Sequence, residues 1–251
     1  MISFFKKCIN KFLFIFGYKL LNLENEEVNL ISKEDVSIIN LYAQYSMTSD
    51  LRRAALLKSF NYIKDNKIDG DFVECGVWQG GNIMSLSHLN TAHKTNKKTY
   101  GYDTFMGMSK PTTHDIKAQD GTIAINKFNK FKDNDEFSNW DKCTIEKVVE
   151  NFTKHNLDMT SLKLIKGKVE DTLLDKNNLP REISLLRLDT DFYESTKIEL
   201  EILYPLLSKN GVLIIDDYGT WQGAKKAVDE YFKDEKVWLH FVDRDCRLMI
   251  K

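Results

Sequence analysis

The feature that most constrains this chain is the alternation of short, continuous apolar runs with longer segments of helical spacing. The runs are "DFVECG", "KTYGYD", "LKLIKG", "ISLLRLD" and "GVLIID". Between them lie "GGNIMSLSHLNTAH", "CTIEKVVENFTKH", a stretch from about Tyr193 to Leu207, and "WQGAKKAVDEYFK", each with apolar residues recurring at three- and four-residue intervals. Strands that are apolar throughout, rather than at every second residue, are buried on both faces. The pattern therefore predicts a mostly parallel α/β sheet covered by helices on both sides. "KVWLHFV" and "CRLMIK" read as a closing antiparallel pair, and "SKEDVSIINLYAQYS" and "LRRAALLKSFNYIKD" as two helices ahead of the first strand.

Two of these strands end in carboxylate pairs. "LLRLDTDFYE" places Asp189 and Asp191 at one strand end, and "GVLIIDDYG" places Asp216 and Asp217 at the next. In a parallel sheet both ends lie on the carboxyl edge, where ligands bind at the switch point of the strand order. Crowded like charges repel, so a cation or a proton is expected among them. Hard oxygen ligands of this kind suit Mg²⁺. The bland alternative, Asp191 capping the next helix and Asp217 exposed in a turn, accounts for one or two of the acids but not for four.

The first strand closes with "ECGVWQGG", in which Gly76, Gly80 and Gly81 allow a tight turn and a close ligand approach. A dinucleotide fingerprint needs GxGxxG, and Trp78 stands where the second glycine would be. A ligand with an amino-acid end and an adenosine end fits this turn better than a pyrophosphate does. The second strand ends in Asp103, a carboxylate able to accept from a ribose diol.

With these stretches in view, "FVECGVWQGG", "YDTFMGM", "KGKVEDTL", "LLRLDTDFYEST" and "GVLIIDDYGTWQGAKKAVDEYF" resemble the macrocin/mycinamicin O-methyltransferase (TylF-like) family. The resemblance covers roughly residues 70–251. It implies a class I methyltransferase fold with a seven-stranded sheet and an antiparallel last strand. It also implies S-adenosylmethionine and Mg²⁺ as cofactors, and methylation of a sugar hydroxyl. Carried over by position, it implies Asp189, Asp216 and Asp217 as metal ligands and Asp191 as general base. The cofactor site would comprise Glu74, Cys75, Gly76, Val77, Trp78, Gly80, Gly81, Asp103, Thr104, Phe105, Lys168, Val169 and Asp189. The stretch from Met108 to Trp140 aligns with nothing in the antibiotic enzymes, and within it His114 and Asp115 stand as reserve base candidates.

At 251 residues and a net charge of −1, the chain has room for one large domain and no electrostatic attraction to nucleic acid. Cys8, Cys75, Cys143 and Cys246 lie far apart without metal spacing and read as reduced thiols of a cytoplasmic protein. The opening "MISFFKKCINKFLFIFGYKLLNL" is too short and too interrupted by lysine to span a bilayer. It is expected to be an amphipathic helix within a helical extension over 1–69, serving homo-oligomer contacts. Residues 70–251 would form the methyltransferase domain, with a polar lid or substrate loop at about 104–142. The acceptor would be a sugar or nucleotide-linked sugar of a bacterial surface polysaccharide or antibiotic pathway. "DTD" also matches the DxD motif of metal-dependent glycosyltransferases, but that reading leaves the glycine turn, Asp103 and "IIDDYG" unexplained. A non-enzymatic cofactor-binding scaffold would have no need of four crowded acids.

Overall fold

Every apolar run becomes a strand in the computed structural model, which describes residues 31–251. The strands are β1 (Asp71–Cys75), β2 (Thr99–Asp103), β3 (Leu162–Lys166), β4 (Ile183–Leu188), β5 (Leu207–Ile215), β6 (His240–Phe241) and β7 (Arg247–Ile250). They lie in one seven-stranded sheet of order β3-β2-β1-β4-β5-β7-β6. The first five are mutually parallel, and β7 runs antiparallel to both β5 and β6. The strand order reverses between β1 and β4, so the crevice opens beyond the tips of these two strands.

The helices are α1 (Lys33–Tyr42), α2 (Asp50–Asp65), α3 (Gly81–His93), α4 (Ala124–Lys130), α5 (Ile145–Lys154), α6 (Val169–Thr172), α7 (Tyr193–Leu203) and α8 (Gln222–Tyr231). All six residues of β4 are buried, as expected of a central strand covered on both faces. Its Ile183, Leu186 and Leu188 join Val73, Tyr102, Leu213 and Ile215 in one core cluster. The expected helix to Leu207 stops at Leu203, because Pro205 enters a short 3₁₀ turn and Leu207 already begins β5. Only two residues of "KVWLHFV" pair, and Trp238 is 80% exposed beside this edge strand.

The stretch at 104–142, expected as a polar lid or substrate loop, has structure of its own. The segment carries α4 and is tied by paired backbone at Ser109↔Phe137, Ile116↔Ile123 and Lys132↔Ser138, with Lys117 bridging to Trp221. A compact unit runs from Ile38 to Lys251 and includes α2, which packs on α3, β4 and β5. The N-terminal segment and the oligomer contacts expected of it lie outside the described residues. Among those described, no helix is long and apolar enough to cross a membrane.

Candidate active site

The glycine turn after β1 is shaped by its neighbour strands. Gly76 has φ of +86°, and a Cβ there would lie 1.9 Å from the Asp189 carbonyl oxygen, so no other residue fits between the tips of β1 and β4. Trp78 also adopts a left-handed φ of +47°, a strained choice for a bulky residue. Asp103 holds it there. One carboxylate oxygen accepts from the Val77 and Trp78 amides at 2.8 and 2.9 Å, and the other from the Phe105 amide at 2.7 Å. Burial pushes the Asp103 carboxyl up, and these backbone donors pull it back. The β2 tip is thus also a clamp on the glycine turn, a task for Asp103 beyond the ribose contact expected from the sequence.

The carboxylates of β4 and β5 do converge, around a cation that sequence reasoning overlooked. Arg187, fully buried inside β4, bonds Glu74 at 2.6 Å and Asp189 at 2.8 Å and pairs with Asp216 at 3.0 Å. Arg52 of α2 reaches the same Asp216 oxygen at 3.2 Å, and also pairs with Asp243 at 2.8 Å and Asp245 at 2.6 Å. Beyond these arginines, carboxylate oxygens of Asp189, Asp191 and Asp217 all lie within 4.8 Å of one another. This trio differs from the expected ligand set, because Asp216 turns one oxygen onto the two arginines. Its other oxygen, Oδ1, is buried without a partner, as is Oδ2 of Asp217.

Asp191 reaches the trio through its backbone. Its φ is +70°, and the Phe192 amide donates to the Thr190 carbonyl at 2.8 Å, the strained form of the γ-turn. Burial pushes the Asp191 carboxyl up to about 7, with a hydrogen bond from Asp217 opposing the rise. Burial also raises Asp189 and Asp217 well above the carboxylate range; Arg187 opposes this for Asp189, while Asp191 adds to it for Asp217. Five carboxylates therefore meet here with one dedicated guanidinium and one shared with Asp243 and Asp245, so the remaining acids need protons or a further cation to balance them. All the available donors are hard oxygens, and two of them are buried orphans, so the site fits a divalent cation.

A cavity of about 480 Å³ opens over these strand tips. Of the site candidates named from the sequence, Gly76, Trp78, Asp103, Thr104, Lys168, Val169, Asp189, Asp191, Asp216 and Asp217 line it. Glu74, Cys75, Val77, Gly80, Gly81 and Phe105 do not. Glu74 lies beneath the floor between Asn82 and Arg187, Cys75 and Phe105 are core residues, and Gly80 and Gly81 begin α3 under Val148 and Tyr45. The reserve candidates fall elsewhere too. Asp115 is fully buried and accepts from the Tyr193 amide at 2.8 Å, while His114 is exposed beside Lys226. Arg52, Lys117, Trp140 and Trp221 are among the other lining residues and were not foreseen. Only Arg187 carried a signal: a lone charge inside an apolar strand must be paired.

Comparison with known proteins follows the same outline. Residues 32–248 match the family model described as macrocin-O-methyltransferase (TylF). The chain is 33% identical over 168 residues to demethyldecarbamoylnovobiocin O-methyltransferase of Streptomyces niveus, covering 66% of this chain and 59% of that one. It is 32% identical over 165 residues to 8-demethyl-8-(2,3-dimethoxy-alpha-L-rhamnosyl)-tetracenomycin-C 4'-O-methyltransferase of Streptomyces olivaceus, covering 65% and 58%. The chain thus spans about three fifths of the length of these relatives. Among solved structures, the O-methyltransferase NovP superposes with a TM-score of 0.70 at 28% identity, covering 82% of each chain. The fold is that of class I methyltransferases, and the chain belongs to the macrocin O-methyltransferase (TylF) family.

Proposed function

We propose that this protein transfers a methyl group from S-adenosylmethionine to a sugar hydroxyl, with Mg²⁺ held by the carboxylates at the tips of β4 and β5. The observation that carries this reading is the meeting of Asp189, Asp191 and Asp217 within 4.8 Å, beside a cavity that also contains the glycine turn. The relative named for a rhamnosyl group supports a sugar acceptor. Gly76, Trp78, Thr104, Lys168 and Val169 would hold the cofactor, with Asp103 fixing the turn they depend on. Asp189 and Asp217 would bind the metal together with the free Oδ1 of Asp216. When bound, the metal makes a sugar hydroxyl more acidic. Asp191, aimed into the cavity by its strained turn, would take the hydroxyl proton as the oxygen attacks. The acceptor would be a nucleotide-linked sugar of a bacterial surface polysaccharide or antibiotic pathway.

Incubation with nucleotide-activated sugars and S-adenosylmethionine should give products heavier by one CH₂, and chelation should abolish them until Mg²⁺ is restored. Asp191→Asn should cut turnover by roughly 10²–10⁴ while leaving cofactor and Mg²⁺ affinity nearly intact. Rescue of Asp191→Asn by excess Mg²⁺ would make it a metal ligand instead. Full activity in excess chelator would remove the metal from the mechanism, and turnover of finished glycosides alone would reject the nucleotide-linked acceptor.

A further inference from the structure

The segment between β2 and α5 builds one wall of the cavity together with Trp221. Gly107, with φ of +94°, lies so close to the Ser138 carbonyl that a Cβ would come within 1.9 Å of it. The Met108 amide donates to the Trp140 carbonyl at 3.0 Å, and the Ser138 amide to the Met108 carbonyl at 3.0 Å. These bonds fold the two ends of the segment together and set the Trp140 indole against Phe192 and Trp221, with ring centroids 5.9 and 6.0 Å away. Lys127 covers the Trp140 ring, its ammonium 3.9 Å from the centroid. Trp140 and Trp221 are only 5% and 6% exposed, yet both line the cavity.

Two features of this wall have no use within the protein. The indole Nε1 of Trp140 is buried and has no acceptor, which is costly for an N–H donor unless a ligand supplies one. Lys117, placed by its backbone bridge to Trp221, is half-buried at the cavity and forms no ion pair among the described residues. Arg52, the cation on the same side, is already engaged by Asp216, Asp243 and Asp245.

We propose that Trp140, Trp221 and Lys117 form the acceptor subsite, and that it takes a sugar ring bearing a phosphoester. The indoles pack on the apolar face of the ring, as aromatic side chains with a polar edge do. Trp140 Nε1 donates to a sugar oxygen, and Lys117 meets the phosphate as a compact point charge. The assignment deepens the methyl-transfer reading above and rests on it.

Calorimetry on the full-length protein loaded with S-adenosylhomocysteine and Mg²⁺ tests it, with UDP- and TDP-linked hexoses and the free nucleoside diphosphates as probes. Trp140→Phe keeps the ring and removes the N–H. It should weaken the linked hexoses about tenfold and leave the free diphosphates within about twofold. Lys117→Gln should weaken hexose conjugates and free diphosphates alike, by about tenfold. Both variants should bind S-adenosylhomocysteine as wild type does, which also reports that they are folded. If Trp140→Phe fails that control, Lys117→Gln decides, since its side chain lies at the surface of the cavity. Unchanged binding of its own probe by either folded variant overturns the subsite, as does a wild-type protein that binds S-adenosylhomocysteine but no conjugate. Failure of the wild type to bind S-adenosylhomocysteine would instead overturn the methyl-transfer reading.

Discussion

Replacing Arg187 by methionine, which keeps most of its volume, isolates what the buried guanidinium does. It removes contacts to Glu74 at 2.6 Å, Asp189 at 2.8 Å and Asp216 at 3.0 Å, in a strand where the arginine side chain is 2% exposed. Taking one partner from a buried ion pair costs about 3–5 kcal/mol, because the remaining charge is left uncompensated. In a unit of this size each kcal/mol lowers Tm by about 2–4 °C, so the melt should fall by about 6–20 °C. Glu74 is the worst placed of the three acids. It is 1% exposed, one of its oxygens already lacks a partner, and burial raises its pKa. Without Arg187 it would take up a proton rather than stay charged, so the deficit should widen as pH rises from 6 to 8. Thermal melts followed by circular dichroism would measure both effects. Adding Glu74→Gln should recover part of the loss, roughly 1–3 kcal/mol, by removing the acid that must otherwise be neutralised on folding. A melt within about 2 °C of wild type, or no recovery in the double variant, would refute the claim that Arg187 neutralises these carboxylates.

Asp103→Ala strips the acceptor from the Val77, Trp78 and Phe105 amides, so the strained turn should relax. Titration calorimetry should show S-adenosylhomocysteine binding weakened by about 1–3 kcal/mol, and unchanged affinity would mean that the turn holds itself. Glu199 is fully buried, one of its oxygens lacks a partner, and burial pushes its carboxyl well above the usual range. Its folded pKa therefore exceeds the unfolded value of about 4.3, so its contribution to stability is complete below that pH and declines as pH rises toward the folded pKa. Glu199→Gln, which carries no charge to suppress, should melt near wild type at about pH 4.5 and increasingly above it toward pH 8. A difference that does not change with pH would show that Glu199 is ionised in the folded protein.

What could be read in the sequence divides along a physical line. β1, β4 and β5 were legible because a strand covered on both faces is mostly apolar, and "ISLLRL", Arg187 apart, and "GVLII" show that without reference to any other segment. Asp189, Asp191 and Asp217 were legible as a cluster because parallel strands bring their carboxyl ends to one edge whatever else the chain does. The partners that settle each acid's task were not legible, since they arrive from elsewhere in the fold. Asp103 could be read as a ribose acceptor, but not as the acceptor for the amides of residues 77, 78 and 105 that it proves to be. Asp216 could be read as a metal ligand, but not as the partner of Arg52, 164 residues earlier in the chain, which holds one of its oxygens. Trp140 and Lys117 reach the cavity only through backbone pairs among segments that carry no periodic signal. Arg187 is the instructive exception. It stood inside the quoted run, two residues before Asp189, where a charge in an apolar strand must have partners within reach. An excess of carboxylates at strand tips therefore predicts compensation of some kind, and the arginine already buried among them has to be counted before any metal. With Arg187 and the shared Arg52 both counted, five acids still outnumber the cations at the site, and that remainder is met either by protons, as the raised pKa values of Asp189, Asp191 and Asp217 allow, or by the divalent ion we propose.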